Sequence, residues 1–250
     1  MRLAAGLLVA LLLAGCGGNL PGVPRPPTPS PEVTRLAPAD GSPPAATPAV
    51  ALPPATLDPV GVYAVSGIAT SGLPYDGSMR VLARGPVVHV EWQTGNPYRG
   101  VGVVVGNALG VAFGGDVCGV TSYVRDAAGG LAGWWVTVGG ERLGSEQAHR
   151  SAPGAELAGA YRVHGQNPDG SPYAGELSVI RRGEVYQFTW KTPHEFDGVG
   201  VEQDGHVTVG WGGARCGVAQ YLGEGAGSLR GLLGVFGQNA AGRETAMRQP

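Results

Sequence analysis

Glu146 and Arg150 recur 98 positions later as Glu244 and Arg248, and these repeated charges are the first candidates for chemistry. Each pair shares one strand face with small residues, Gly144 and Ala148 in the first copy and Gly242 and Ala246 in the second. The intervening Ser145, Gln147 and His149 change freely to Arg243, Thr245 and Met247, so the glutamate face is expected to point inward. A buried carboxylate needs a partner, and the nearby arginine would supply it. The pair then acts either as a polar anchor for a ligand or, more commonly for buried charge, as an ion pair that closes one end of an enclosed core. Tyr63, Tyr75, Trp92 and Tyr123 recur as Tyr161, Tyr173, Trp190 and Tyr221. They could stack on a sugar or an aromatic ligand, although such residues are more often core. The candidate lumen residues are therefore Glu146, Arg150, Glu244, Arg248, Tyr63, Tyr161, Trp92 and Trp190.

Other chemistry finds little support. Of His89, His149, His164, His194 and His206, none has a histidine at its partner position in the other copy, which excludes a metal site common to both. His194, Glu195 and Asp197 are separated from His206 by a strand of about eight residues, or roughly 25 Å. No metal or cofactor is expected. The chain has no Gly-x-Ser-x-Gly elbow, and its glycine pairs fall between strands rather than before helices, so nucleophile-elbow and phosphate-loop readings fail. With no spaced set of acid, base and nucleophile, the expectation is a protein that is not an enzyme. Cys118 and Cys216 lie one in each copy. Neither can bridge within its own copy; in an oxidising compartment a bridge between copies is open if a pseudo-two-fold brings the Cα atoms within about 7 Å, and two inert buried cysteines are the favoured alternative.

The elements that must carry these residues follow from composition. The chain has 45 glycines, 21 prolines, 14% charged and 43% hydrophobic residues, and net charge −2. Helix interiors tolerate glycine and proline least, which excludes a helical protein, while the apolar content is enough for a folded core. Without a basic surplus, nucleic acid is an unfavourable partner.

An apolar run from Leu3 to Ala14 follows Arg2 and is too short to span a bilayer as a helix. Leu13-Ala14-Gly15-Cys16 resembles the lipobox of bacterial lipoproteins. The resemblance implies diacylglyceryl transfer to Cys16, removal of residues 1–15, and further acylation of the new N-terminus with chains of the palmitate type. Two or more acyl chains suffice for stable membrane anchoring. Residues 16–57 then form a spacer, with thirteen prolines between Pro21 and Pro59. This composition reads as an extended, partly polyproline II tether, whose forty-odd residues at about 3.1 Å each would reach on the order of 100 Å.

Sliding the chain by 98 positions aligns Gly61–Arg150 with Gly159–Arg248 without a gap, and about a third of the pairs are identical. In copy one, turn signals at Ser71-Gly72, Arg84-Gly85, Gly95-Asn96, Gly106-Asn107, Gly114-Gly115-Asp116, Gly129-Gly130 and Gly139-Gly140 separate eight strands. Val88, Val90 and Trp92 alternate with His89, Glu91 and Gln93, the signature of a strand with one wet face. The predicted fold is all-β: two tandem eight-stranded antiparallel up-and-down barrels, one over 58–151 and its duplicate over 156–250, with open β-sandwiches as the alternative. Outward Glu91, Gln187 and Lys191 argue against a membrane-spanning barrel.

Tyr-x-Val-x-Gly, Asn167-Pro168-Asp169-Gly170-Ser171-Pro172-Tyr173-x-Gly, Trp190, Gly-Val-Gly and Gly-x-Glu together resemble β-domains of exported bacterial proteins, some labelled fibronectin-binding. Copy one departs from that pattern at Ala69-Thr70-Ser71-Gly72-Leu73-Pro74. The barrel class is also similar in architecture to avidin-like and lipocalin-like binders. The expected function is a non-catalytic binding or interaction module, lipid-anchored in the cell envelope and facing away from the cytoplasm, on the inner or outer membrane. A small-ligand binder using the lumen and an envelope structural protein or inhibitor are the alternatives, with a small ligand or an extracellular protein as partner.

Overall fold

The computed structural model describes residues 54–192 and 194–250. The signal segment, Cys16 and the tether up to residue 53 lie outside the described residues. Among the described residues there are sixteen strands: β1 (Gly61–Ile68), β2 (Pro74–Arg84), β3 (Val87–Gln93), β4 (Tyr98–Val105), β5 (Ala108–Phe113), β6 (Gly119–Arg125), β7 (Leu131–Thr137), β8 (Gly144–Arg150), β9 (Gly159–Gln166), β10 (Pro172–Arg182), β11 (Val185–Thr192), β12 (His194–Gln203), β13 (His206–Trp211), β14 (Gly217–Gly225), β15 (Ser228–Val235) and β16 (Gly242–Arg248). They close into two antiparallel eight-stranded barrels, so the open sandwich does not occur.

The repeat and the barrel are nevertheless different units. One barrel is the unbroken run β6 to β13, closed by pairing β13 with β6. The other joins β1 to β5 with β14 to β16, closed by β5 on β14 and β1 on β16. The continuous barrel is thus inserted into the split barrel, and each takes five strands from one copy and three from the other. This corrects the expectation that 58–151 and 156–250 close separately. A 98-residue duplication makes β6 and β14 equivalent neighbours for β5, and local sequence cannot choose between them.

The choice is made at Gly114-Gly115-Asp116, which reads as a hairpin turn but is a crossover between barrels. Residues 114–118 lead from β5 to β6, and 212–216 lead back from β13 to β14. Gly114 and Gly212 have φ of 114° and 115°. A side chain on either would run into the backbone of the opposite crossover, at Arg215 and at Val117 respectively. The two crossovers therefore pass against each other, and Cys118 is bonded to Cys216 across them with Cα atoms 5.6 Å apart. Of the two readings, the bridge between copies holds and the favoured one of two unpaired thiols is overturned, because the exchange brings the equivalent positions of both copies together.

The barrels also share an apolar seam. Val101, Val103, Val105 and Ala112 pack with Val120 and Val136 around the cystine, and Val199, Val201 and Val218 form its counterpart. This explains the recurring Gly-Val-Gly-Val. Its valines face the neighbouring barrel, while Gly100 and Gly198 face lumens already filled by Trp92 and Val111 or by Trp190 and Val209. Each fully buried valine contributes about 1.5–3 kcal/mol of burial. The tether expected to extend to residue 57 is already fixed at its end, since Thr56 and Leu57 donate to Gly106 O at 2.8 and 3.3 Å.

Candidate functional site

The two repeated glutamates face the lumens, as their alternation predicts, and are 4% and 2% exposed for Glu146 and Glu244. Their partners differ from the expected arginines. In the continuous barrel, Glu146 accepts hydrogen bonds from Tyr123 Oη at 2.5 Å, Tyr173 Oη at 2.9 Å and Trp190 Nε1 at 3.1 Å. In the split barrel, Glu244 accepts from Tyr221 Oη at 2.6 Å and Tyr75 Oη at 2.7 Å, while Trp92 Nε1 donates to Tyr221 Oη at 3.1 Å. Both clusters combine the same four residues, one glutamate, two tyrosines and one tryptophan. Each draws two residues from either copy, so neither exists without the strand exchange.

Arg150 and Arg248 lie at the other end of the barrels. Four residues at strand rise is about 13 Å, too far for the side chains to meet along one strand. Arg248 instead donates to Asp58 O and to Tyr63 Oη, and lies 5.5 Å over the Tyr63 ring. Arg150 likewise donates to Glu156 O and to Tyr161 Oη, 5.3 Å over the Tyr161 ring. Tyr63 Oη and Tyr161 Oη donate in turn to Pro59 O and Leu157 O. Of the candidate lumen residues, the structure thus gathers Trp92 with Glu244 and Trp190 with Glu146. It assigns Tyr63, Tyr161 and the arginines to clasps that hold the segment entering the split barrel and the β8–β9 connection of the continuous one.

Burial without a cation sets the electrostatics. It raises both glutamate carboxyls above their usual range, against the opposing pull of the phenol and indole hydrogen bonds. Tyr123, Tyr173 and Tyr221 are pushed well above 10 by burial and then by the neighbouring carboxylate. They remain O–H donors. Tyr98 is pushed up to about 12 by burial and by Glu244.

Rings cover each cluster, and several of them escaped sequence reasoning. In the split barrel Tyr98 stacks on Trp92 at 4.7 Å, with Phe113 5.3 Å from Tyr98. In the continuous barrel Phe196 stacks on Trp190 at 5.0 Å, and Trp211 packs against both Phe196 and Trp135. Tyr98 and Trp135 differ from their counterparts Phe196 and Leu233, so a search for identical pairs passes over them. The inward alternation of β4 and β7 was the available signal.

Among the described residues, no group of three or more His, Cys, Asp or Glu could hold a metal ion. His194 starts β12, whereas His206 pairs with Gln203 at the far end of that strand. No family model matches the chain, and neither a curated protein nor a solved structure matches it.

Proposed function

We propose that this protein is a non-catalytic binding module of the bacterial cell envelope, anchored by acyl chains on Cys16 and carried away from the membrane by its proline-rich tether. The observation that carries the reading is the pair of Glu-Tyr-Tyr-Trp clusters. All four positions keep their residue in both copies, although only about a third of aligned positions are identical. Their acidic groups are engaged by phenol and indole donors in a buried lumen, an arrangement suited to holding shape and charge rather than to passing protons. The lipobox supports the location. The clasp of Arg248 on Asp58 supports a head held firmly at the point where the tether meets it.

The small-ligand form of this reading is favoured by one difference between the barrels. Tyr75 is half-buried at its lumen end, while its counterpart Tyr173 is 1% exposed. The test is metabolic labelling with an alkyne fatty acid, followed by membrane fractionation of the wild type and Cys16→Ala. Label and membrane retention that depend on Cys16 support the reading, and a soluble, unlabelled wild-type protein overturns it.

A further inference from the structure

The geometry points to the lumen end of the split barrel as a site for an organic ammonium ion, a primary or quaternary amine seated against Glu244 beneath the rings of Tyr75, Tyr98 and Phe113. The inference rests on the reading of the protein as a binding module and names the ligand class of its cluster. Three observations carry it. First, Glu244 is a buried carboxylate whose donors among the described residues are phenols and not cations. A carboxylate offers about four acceptor positions, and two oxygens holding one phenol each leave acceptor capacity for an N–H donor or a nearby positive charge. Glu146, by comparison, receives three donors.

Second, the rings around Glu244 suit a cation. Tyr75 reaches Glu244 through its hydroxyl, and Tyr98, stacked on Trp92 at 4.7 Å with Phe113 5.3 Å away, completes an aromatic cluster beside the carboxylate; rings beside a negative group are the combination that recognises ammonium ions. Third, the two barrels differ in what closes this end. Where the continuous barrel has Trp135 and Trp211, the split barrel has the smaller Leu233 and Phe113. Tyr75 and Phe113 are accordingly half-buried, while their counterparts Tyr173 and Trp211 are 1% and 9% exposed; Tyr98 and its counterpart Phe196 are half-buried alike. The continuous barrel is the capped form of the same cluster, and the split barrel is the open one.

The experiment titrates the full chain with tetramethylammonium chloride by calorimetry and intrinsic tryptophan fluorescence, with sodium chloride and glucose titrated in parallel. Saturable binding of tetramethylammonium, absent with sodium chloride, is expected. Glu244→Gln and Leu233→Trp should each weaken it by about tenfold or more, a difference of about 1.4 kcal/mol. Glu141→Gln, exposed in the β7–β8 connection, should leave it unchanged. Leu233→Trp introduces the ring that the other barrel already accommodates, so its fold is expected to survive, and circular dichroism checks this. The absence of saturable binding, equal binding by Leu233→Trp, or binding of glucose alone would overturn the site. Any of these would leave the anchored-module reading standing, because that reading falls only with the Cys16 labelling result.

Discussion

Opening the Cys118–Cys216 bridge is the perturbation whose magnitude the structure defines best. The two cysteines are 98 residues apart in sequence. In the chain-entropy account, constraining an unfolded loop of that length stabilises the folded state by about 4.7 kcal/mol at 25 °C, while native bridges more typically contribute about 2–4 kcal/mol. The bridge spans two crossovers that already press against each other, so little native rearrangement is needed to form it and the effect should lie in the upper part of that range. For a folded region of this size, roughly 4 kcal/mol corresponds to a fall in Tm of roughly 8–16 °C. The assay compares guanidinium and thermal unfolding of the oxidised protein, the reduced protein and the Cys118→Ala/Cys216→Ala variant. Reduced and variant proteins should lose similar stability and keep the β-rich circular dichroism spectrum. A loss below about 1 kcal/mol, with peptide mapping showing the bridge intact beforehand, would refute the reasoning.

Glu146→Gln tests the buried carboxylate. Because burial raises its folded pKa above 4.5, the native state binds the proton more tightly than the unfolded chain. Its contribution is fully present below pH 4.5 and is lost as pH rises through the folded value, so the variant should gain stability relative to wild type with rising pH; a relative gain towards acid would contradict this. Gly110→Val should cost roughly 1–3 kcal/mol by overpacking the seam, since a Cβ there lies 2.7 Å from Thr208 Cγ2 and 3.0 Å from Ser122 Cβ; unchanged denaturation midpoints would count against the seam. Arg248→Ala should leave the barrels folded but speed proteolysis near residues 54–58, because it removes the donor to Asp58 O. Cleavage at the wild-type rate would show that the clasp does not hold the tether.

The strands were legible because one lumen face demands period-two alternation, as in Val88, Val90 and Trp92, and because glycine marks nearly every turn. The inward direction of Glu146 and Glu244 was legible for the same reason. Their donors were not, since Tyr75 and Tyr221 come from opposite copies and meet only after β1 closes on β16. The arginines misled because four strand positions place charges at opposite ends of a barrel, whereas four helical positions would have made them neighbours. The cystine was hidden by the same ambiguity that hid the crossovers.

The exchange of strands between copies is tested most directly by crosslinking in a chain whose native thiols are replaced. Val111 faces Ala219 across β5 and β14; had the first copy closed on itself, the residue opposite Val111 would be the equivalent Thr121. Val111→Cys with Ala219→Cys should oxidise readily to a disulfide, and Val111→Cys with Thr121→Cys should stay reduced. Efficient bridging of the second pair with none in the first would contradict the nested barrels.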